Sequence, residues 1–234
     1  MFAASYTVYG NEMEHVFEEK DLGVTIDAEL KFEDHIAIKV RTANAIVGQM
    51  RRSFSYLDCD TFKRIYTAMV RPHLEYGEAA WSPCLVRNID KLENVQIRAT
   101  KLVDGLSKLD YPERFKRLDL PTLVYRRRRG DVIEMYKHFH QYDRSTLAPS
   151  FQPKHRFPSR KHGFQLHLPQ TKDGENGVQS NFFFQRTSKI WNELPEHVVK
   201  AEDINQFKNR LDKVWLHDPV KYNHKAVVRE EEVE

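Results

Sequence analysis

The chain has little of what most function classes require. No apolar run approaches the roughly 20 residues that span a bilayer, so no membrane is expected. The opening MFAASYTVYG lacks the basic flank and apolar core of a signal peptide. Two cysteines, Cys59 and Cys84, make no disulfide framework in 234 residues. A reducing, intracellular compartment is the expectation, with nucleus or cytoplasm left open. There is no Gly-rich phosphate loop, no HExxH, no GxSxG, and no Cys/His cluster at zinc spacing. The 11 histidines are scattered, and His138 and His140, two apart, diverge on a helix. Asp58 and Asp60 resemble a carboxylate pair, but they stand where a helix should start, and capping is the better account. No catalytic residue, metal or cofactor is therefore expected.

What is present is a foldable composition, 40% hydrophobic, 30% charged and 12% aromatic. The net charge of +3 is unevenly placed. Residues 1–40 carry 3 Lys/Arg against 9 Asp/Glu, residues 41–130 carry 18 against 10, and residues 131–234 carry 16 against 15. The basic excess thus lies in the middle, compatible with nucleic-acid binding or with internal pairing.

Hydrophobic period supplies the elements. Residues 1–31 read as a β segment, with strands at Tyr6–Tyr9, Glu12–Phe17 and Asp21–Asp27 and a hairpin turn at Gly10-Asn11. Ile36, Val40, Ala43, Val47, Met50 and Phe54 repeat at four and three residues, predicting a helix from near Phe32. A second helix, capped by Asp58 or Asp60, carries Phe62, Ile65, Tyr66, Met69, Val70 and Leu74 on its apolar side. Pro72 should kink or break it near Arg71. A third opens at Asn88, with Ile89, Leu92, Val95, Ala99, Leu102 and Val103 inward. On its other side Arg87, Lys91, Asn94, Arg98 and Lys101 form a single stripe, either a solvated face or a phosphate grip. A short helix follows near Tyr111-Pro112, then a long one with Pro121 at its first position. In the latter, four consecutive arginines, Arg126 to Arg129, sweep nearly the whole circumference. At least one must lie near the core and needs a partner, and Asp131 is the nearest candidate in sequence.

The expected fold is mainly α. An antiparallel helical bundle (32–141) follows a small N-terminal antiparallel β segment (1–31). An irregular linker (142–181) has a short strand at Phe164–Leu168 and an exposed loop at Lys172–Gly177. A C-terminal helical hairpin (182–234) has helices near Phe183–Leu194 and Asp203–Trp215 and a fraying tail at Arg229–Glu232.

Several phrases carry a family resemblance. MVRPHLEYGEAAWSP (Met69–Pro83), NVQIRATKLV (Asn94–Val103), DLGVTIDAELKFEDHI (Asp21–Ile36), LPTLVYRRRRGDVIEMYK (Leu120–Lys137) and FFFQRTSKIWNELPEHVV (Phe182–Val199) resemble the reverse transcriptases of non-LTR (LINE-like) retrotransposons, in that family's order. The resemblance implies the end of a polymerase palm, a helical thumb and a C-terminal extension, with the missing palm and fingers portion as a partner if the chain is truncated. The family's two-metal chemistry needs a strand aspartate and a Tyr-x-Asp-Asp turn, and neither motif occurs here. The family's C-terminal Cys/His knuckle is also absent. The resemblance thus implies descent from an RNA-directed DNA polymerase of a transposable element, without polymerase activity in this chain.

Two functions follow. The first is non-catalytic, thumb-type binding of an RNA/DNA template–primer duplex through its phosphates. Its candidate contacts are Arg41, Arg51, Arg52, Arg87, Lys91, Arg98, Lys101, Arg126, Arg127, Arg128 and Arg129. The alternative is a structural or protein-interaction fragment, or a genomic relic with no nucleic-acid role.

Overall fold

The computed structural model describes residues 7–12, 16–140, 163–166 and 182–226. Strand β1 (Thr7–Val8) pairs antiparallel with β2 (Asn11–Glu12), and β3 (Glu18–Asp21) pairs antiparallel with β4 (Val24–Asp27). The expected Glu12–Phe17 strand keeps only its start in β2, and residues 13–15 lie outside the described residues. The β3–β4 turn puts Leu22 and Gly23 both at positive φ, the backbone twist of a tight hairpin. Val24 is buried against Gly77, where a Cβ would come within 3.3 Å of it.

Helix α1 (Glu33–Ser53) is announced by Asp27, whose carboxylate accepts from the N–H groups of Glu29, Lys31 and Phe32 at 3.0, 3.1 and 2.5 Å. Its seam buries Ile36, Ala43, Val47 and Met50 as the period predicts. Phe54 departs from that seam. The helix ends at Ser53, and the extended backbone at Phe54 leaves its ring 40% exposed.

Asp58 caps α2 (Cys59–Ile65), accepting from Asp60 N–H at 3.0 Å and Thr61 N–H at 2.9 Å. The chain then passes through a π-helical turn, Tyr66–Val70, into α3 (Arg71–Glu75). The helix divides at Arg71, next to Pro72, and the division is made by this wider turn. The wide turn lets Arg71 N–H reach the Tyr66 carbonyl five residues back, absorbing the missing proline donor. It also swings Met69 to 51% exposure, where a straight helix would have buried it.

After α4 (Glu78–Trp81), α5 (Val86–Ala99) begins two residues earlier than the sequence suggests. Helix α6 (Tyr111–Leu118) is capped by Asp110. In α7 (Leu123–Phe139) the cap is Thr122, whose Oγ1 accepts from Tyr125 N–H at 3.1 Å. Pro121 thus stands before the cap rather than in the first turn, and its carbonyl accepts from Gln96 Nε2 at 2.9 Å.

The helices build two adjoining cores. The first joins α1, α2–α3 and α5 around Phe62, Tyr66, Trp81, Leu92 and Val95. The second forms around α7 with α8 (Phe183–Glu193), α9 (Glu196–Val199) and α10 (Ile204–Val214). Helices α8 and α10 meet where Trp191 stacks on Phe207 at 6.1 Å, and both rest on α7. The following residues strap the cores together, since Thr122 donates to the carbonyls of Lys221 (2.9 Å) and Val220 (2.8 Å). Of the expected Phe164–Leu168 strand, Leu166 exchanges two hydrogen bonds with the Asn192 side chain at 2.8 and 2.9 Å. Phe164 lies in a turn and Gln165 in no regular element, so the strand does not form there, while His167, Leu168, the Lys172–Gly177 loop and the Arg229–Glu232 tail lie outside the described residues. No described helix is long and apolar enough to cross a membrane.

Candidate nucleic-acid interface

Helices α1, α2–α3 and α5 alternate in direction, so α1 and α5 run the same way side by side. Two contacts fix their register. Arg87 Nη2 pairs with Glu33 Oε1, and Arg98 Nη1 lies 3.5 Å from Asn44 Oδ1, each pair 54 residues apart. Arg41 therefore stands at a level between Lys91 and Arg98.

The α5 stripe faces solvent along its length. Arg87, Lys91, Asn94, Arg98 and Lys101 are all exposed, while Asn88, Leu92, Glu93, Val95, Gln96 and Ala99 fill the inward side. Lys91 Nζ donates to Asn88 Oδ1 at 3.1 Å. Of the stripe's four cations, only Arg87 has a carboxylate partner among the described residues. On α1, Arg41, Arg51 and Arg52 are exposed and have no carboxylate partner there either. Arg51 continues the line of Glu33 and Asn44 beside the α5 stripe, and Arg41 and Arg52 lie about 90° further out. From the level of Arg87 to Arg52 the cations cover about 28 Å at about 1.5 Å per residue.

The four arginines of α7 have the opposite environment. Arg126 clasps both carboxylate oxygens of Glu75, with Nη2 to Oε2 at 3.0 Å. Arg129 does the same with Asp212, at 2.6 and 2.8 Å. Arg128 approaches Asp218 at 3.4 Å and lies over the Trp215 ring at 5.5 Å. Arg127 is 5% exposed and sits among Glu93, Glu78, Asp131 and Glu75. All four are engaged inside the protein.

The partner proposed for the buried arginine, Asp131, is held by another residue. Arg186 of α8 takes it bidentately at 2.8 and 2.9 Å and also donates to the Ala79 carbonyl at 3.0 Å. Helix geometry explains the exchange. Asp131, four residues after Arg127, sits roughly 40° around α7 from it, turned toward α8.

Around Arg127 the charge is incompletely matched. Its Nη1, Glu78 Oε2 and Glu93 Oε2 are buried without hydrogen-bond partners. Glu93 Oε1 accepts from Val124 N–H at 2.8 Å. Burial pushes the Glu93 carboxyl up to about 7, with Arg127 pulling against it. Burial, helped by Glu75, pushes Glu78 up to about 8. Gly130 permits this approach, since a Cβ there would lie 3.2 Å from Glu78 Oε1. Sequence reading missed Glu75, Glu78, Glu93, Arg186, Asp212 and Asp218. Only Glu93 left a signal, a carboxylate beside Leu92 on the apolar side of α5.

Among the described residues no three His, Cys, Asp or Glu side chains converge as a metal site. His35 is buried against Trp81, with ring centroids 5.1 Å apart, and its Nδ1 accepts from Thr25 N–H at 3.1 Å. Burial lowers its pKa to about 4. Both cysteines are free. Compared with known protein families, curated proteins and solved structures, the chain matches none.

Proposed function

We propose that this chain is a non-catalytic, thumb-type module of a non-LTR retrotransposon reverse transcriptase that holds an RNA/DNA duplex by its phosphates. One observation carries the reading: two parallel helices present exposed cations with no carboxylate partner among the described residues. These are Arg41, Arg51 and Arg52 on α1, and Lys91, Arg98 and Lys101 at and just beyond α5, with Arg87 half-engaged beside them. Arg126 to Arg129 leave the set of contacts, because Arg126, Arg128 and Arg129 are paired with carboxylates of the fold and Arg127 is buried among carboxylates.

Phosphate contacts release counterions, so the log–log slope of affinity against salt is about −0.9 per contact on B-form DNA. Changing Arg87, Lys91, Arg98 and Lys101 together to Gln keeps helix propensity and should flatten that slope by about three. The measurement is duplex binding from low to physiological salt for both proteins, with circular dichroism as the folding control. A parent that does not bind even at low salt, or a variant with the parent's slope, overturns the proposal.

A second reading has its own observation. Phe17, just before β3, and Leu22, in the β3–β4 turn, are each 82% exposed, which suits a protein-interaction surface.

A further inference from the structure

We infer that the turn between α1 and α2 is a stacking site for unpaired nucleotides at the end of a held duplex, an inference that rests on the phosphate-binding reading above. Tyr56 and Phe54 are 69% and 40% exposed in this turn. Neither ring has a ring–ring or cation–π contact among the described residues. Tyr76, an exposed aromatic elsewhere, is differently placed, since Lys39 lies 5.6 Å over its ring and its hydroxyl donates to the Leu22 carbonyl.

The platform is held rather than loose. Leu57 between the rings and α2 is buried, its N–H donates to Asp104 Oδ2 at 2.6 Å, and its carbonyl accepts from Asp104 N–H at 3.1 Å. Asp58 is engaged in capping α2. Two of the three nearby carboxylates are therefore tied to backbone N–H groups, leaving exposed Asp60. Arg51 and Arg52 immediately precede the rings, and the Leu57–Asp104 link brings the Lys101 end of the stripe to the same place. Cations with no carboxylate partner among the described residues, beside open aromatic faces, match the repeat of a single strand, a phosphate and a flat base, and stacking tolerates any base. The cations of α1 and α5 lead toward this turn, so a duplex held along them would place its end there.

The test compares binding of a blunt duplex, the same duplex with a single-stranded extension of about four nucleotides, and that duplex with an abasic extension of equal length. The abasic arm adds phosphates without bases. The parent should bind the base-bearing extension about tenfold more tightly than the blunt duplex, and the abasic one with little gain. Phe54→Ala with Tyr56→Ala should lose the tenfold gain and bind the blunt duplex as the parent does, since both rings are exposed and circular dichroism should be unchanged. No gain from the extension, an equal gain from the abasic one, or a gain surviving the double substitution overturns the inference while leaving the duplex grip standing. Binding of the base-bearing extended duplex that is lost on the double substitution, with no binding of the blunt duplex, would uphold the stacking site and overturn the grip. No binding of any probe overturns both.

Discussion

Two sets of four cations on two helices meet opposite fates. At α5, Arg87, Lys91, Arg98 and Lys101 are spaced four, seven and three residues apart, so they stay on one line of the helix and face solvent. On α7, Arg126 to Arg129 are consecutive and wind through roughly 300°, meeting protein in every direction because α7 lies between the two cores. Arg126 reaches α3, Arg127 lies among carboxylates of α3, α4, α5 and α7, Arg128 meets the strap after α10, and Arg129 reaches α10. The run that looks most basic in the sequence is used up as internal glue, and the dispersed set remains available. Part of the positive excess of residues 41–130 is matched by Asp212 and Asp218 from the C-terminal third.

The largest expected consequence is in stability. Arg127→Gln leaves Glu93 buried with no adjacent cation and Glu78 with Arg126 alone, and breaking a buried charge arrangement this way costs roughly 3–5 kcal/mol. Chemical denaturation should show that loss for Arg127→Gln. The fourfold α5 variant should lie within about 0.5 kcal/mol of the parent for each exposed site changed. Equal stabilities for the two variants would erase the distinction between the sets.

Next in size is a pH effect confined to the α7 cluster. Glu78 and Glu93 have folded pKa values of about 8 and about 7, above their ordinary 4.5. The folded chain therefore binds more protons than the unfolded one between those limits. Their contribution to stability is complete below pH 4.5 and is lost as pH rises to 8. The histidines act in the other sense. His35 titrates near 4, and burial also lowers His140 and His224, so their contribution is gained as pH rises toward 6.5. The histidine gain tapers off over the pH unit above 6.5, so the net change from about pH 6.5 to 8 should be a loss on the order of 1 kcal/mol, set by the two Glu. Glu78→Gln with Glu93→Gln should flatten this alkaline limb, and the α5 variant should keep it whole. A parent with constant stability across that range would show that the cluster does not titrate there.

What the sequence discloses follows the range of the interaction involved. The α1 seam, the Asp58 cap and the α5 stripe are properties of residues three or four apart, and periodicity finds them. The pairs that decide the fate of the α7 arginines are not local. Arg126–Glu75, Arg129–Asp212 and Arg128–Asp218 join residues 51, 83 and 90 apart, and no spacing rule connects them. The sequence shows that at least one of the four arginines needs a partner, but the nearest carboxylate, Asp131, is taken by Arg186, 55 residues away. Met69 was misplaced because the period assumed a regular helix through Tyr66–Val70. Phe54 was misplaced because the seam continues one residue beyond the helix. In both cases the pattern was read correctly and the local geometry changed beneath it.

The smallest expected effect probes the one residue that belongs partly to both sets. Arg87 stands on the exposed stripe, but its guanidinium pairs with Glu33 at the start of α1. The side chains are 63% and 36% exposed, so the pair contributes only about 0–1 kcal/mol to stability. Glu33 also lies in the first turn of α1, where a negative charge favours the helix by about 0.3–1 kcal/mol. Glu33→Gln should therefore destabilise the fold slightly and free Arg87. If the stripe holds phosphates, a freed Arg87 adds up to one contact, and the salt slope should steepen by at most about 0.9. Affinity at low salt should rise, although the variant is marginally less stable. A stability defect accompanied by tighter binding separates release of a phosphate contact from general weakening of the fold. An unchanged slope would mean that Arg87 sits outside the grip and that the stripe begins at Lys91. A shallower slope would mean that the Glu33 pair holds Arg87 in its binding geometry, making it an internally matched cation like those of α7.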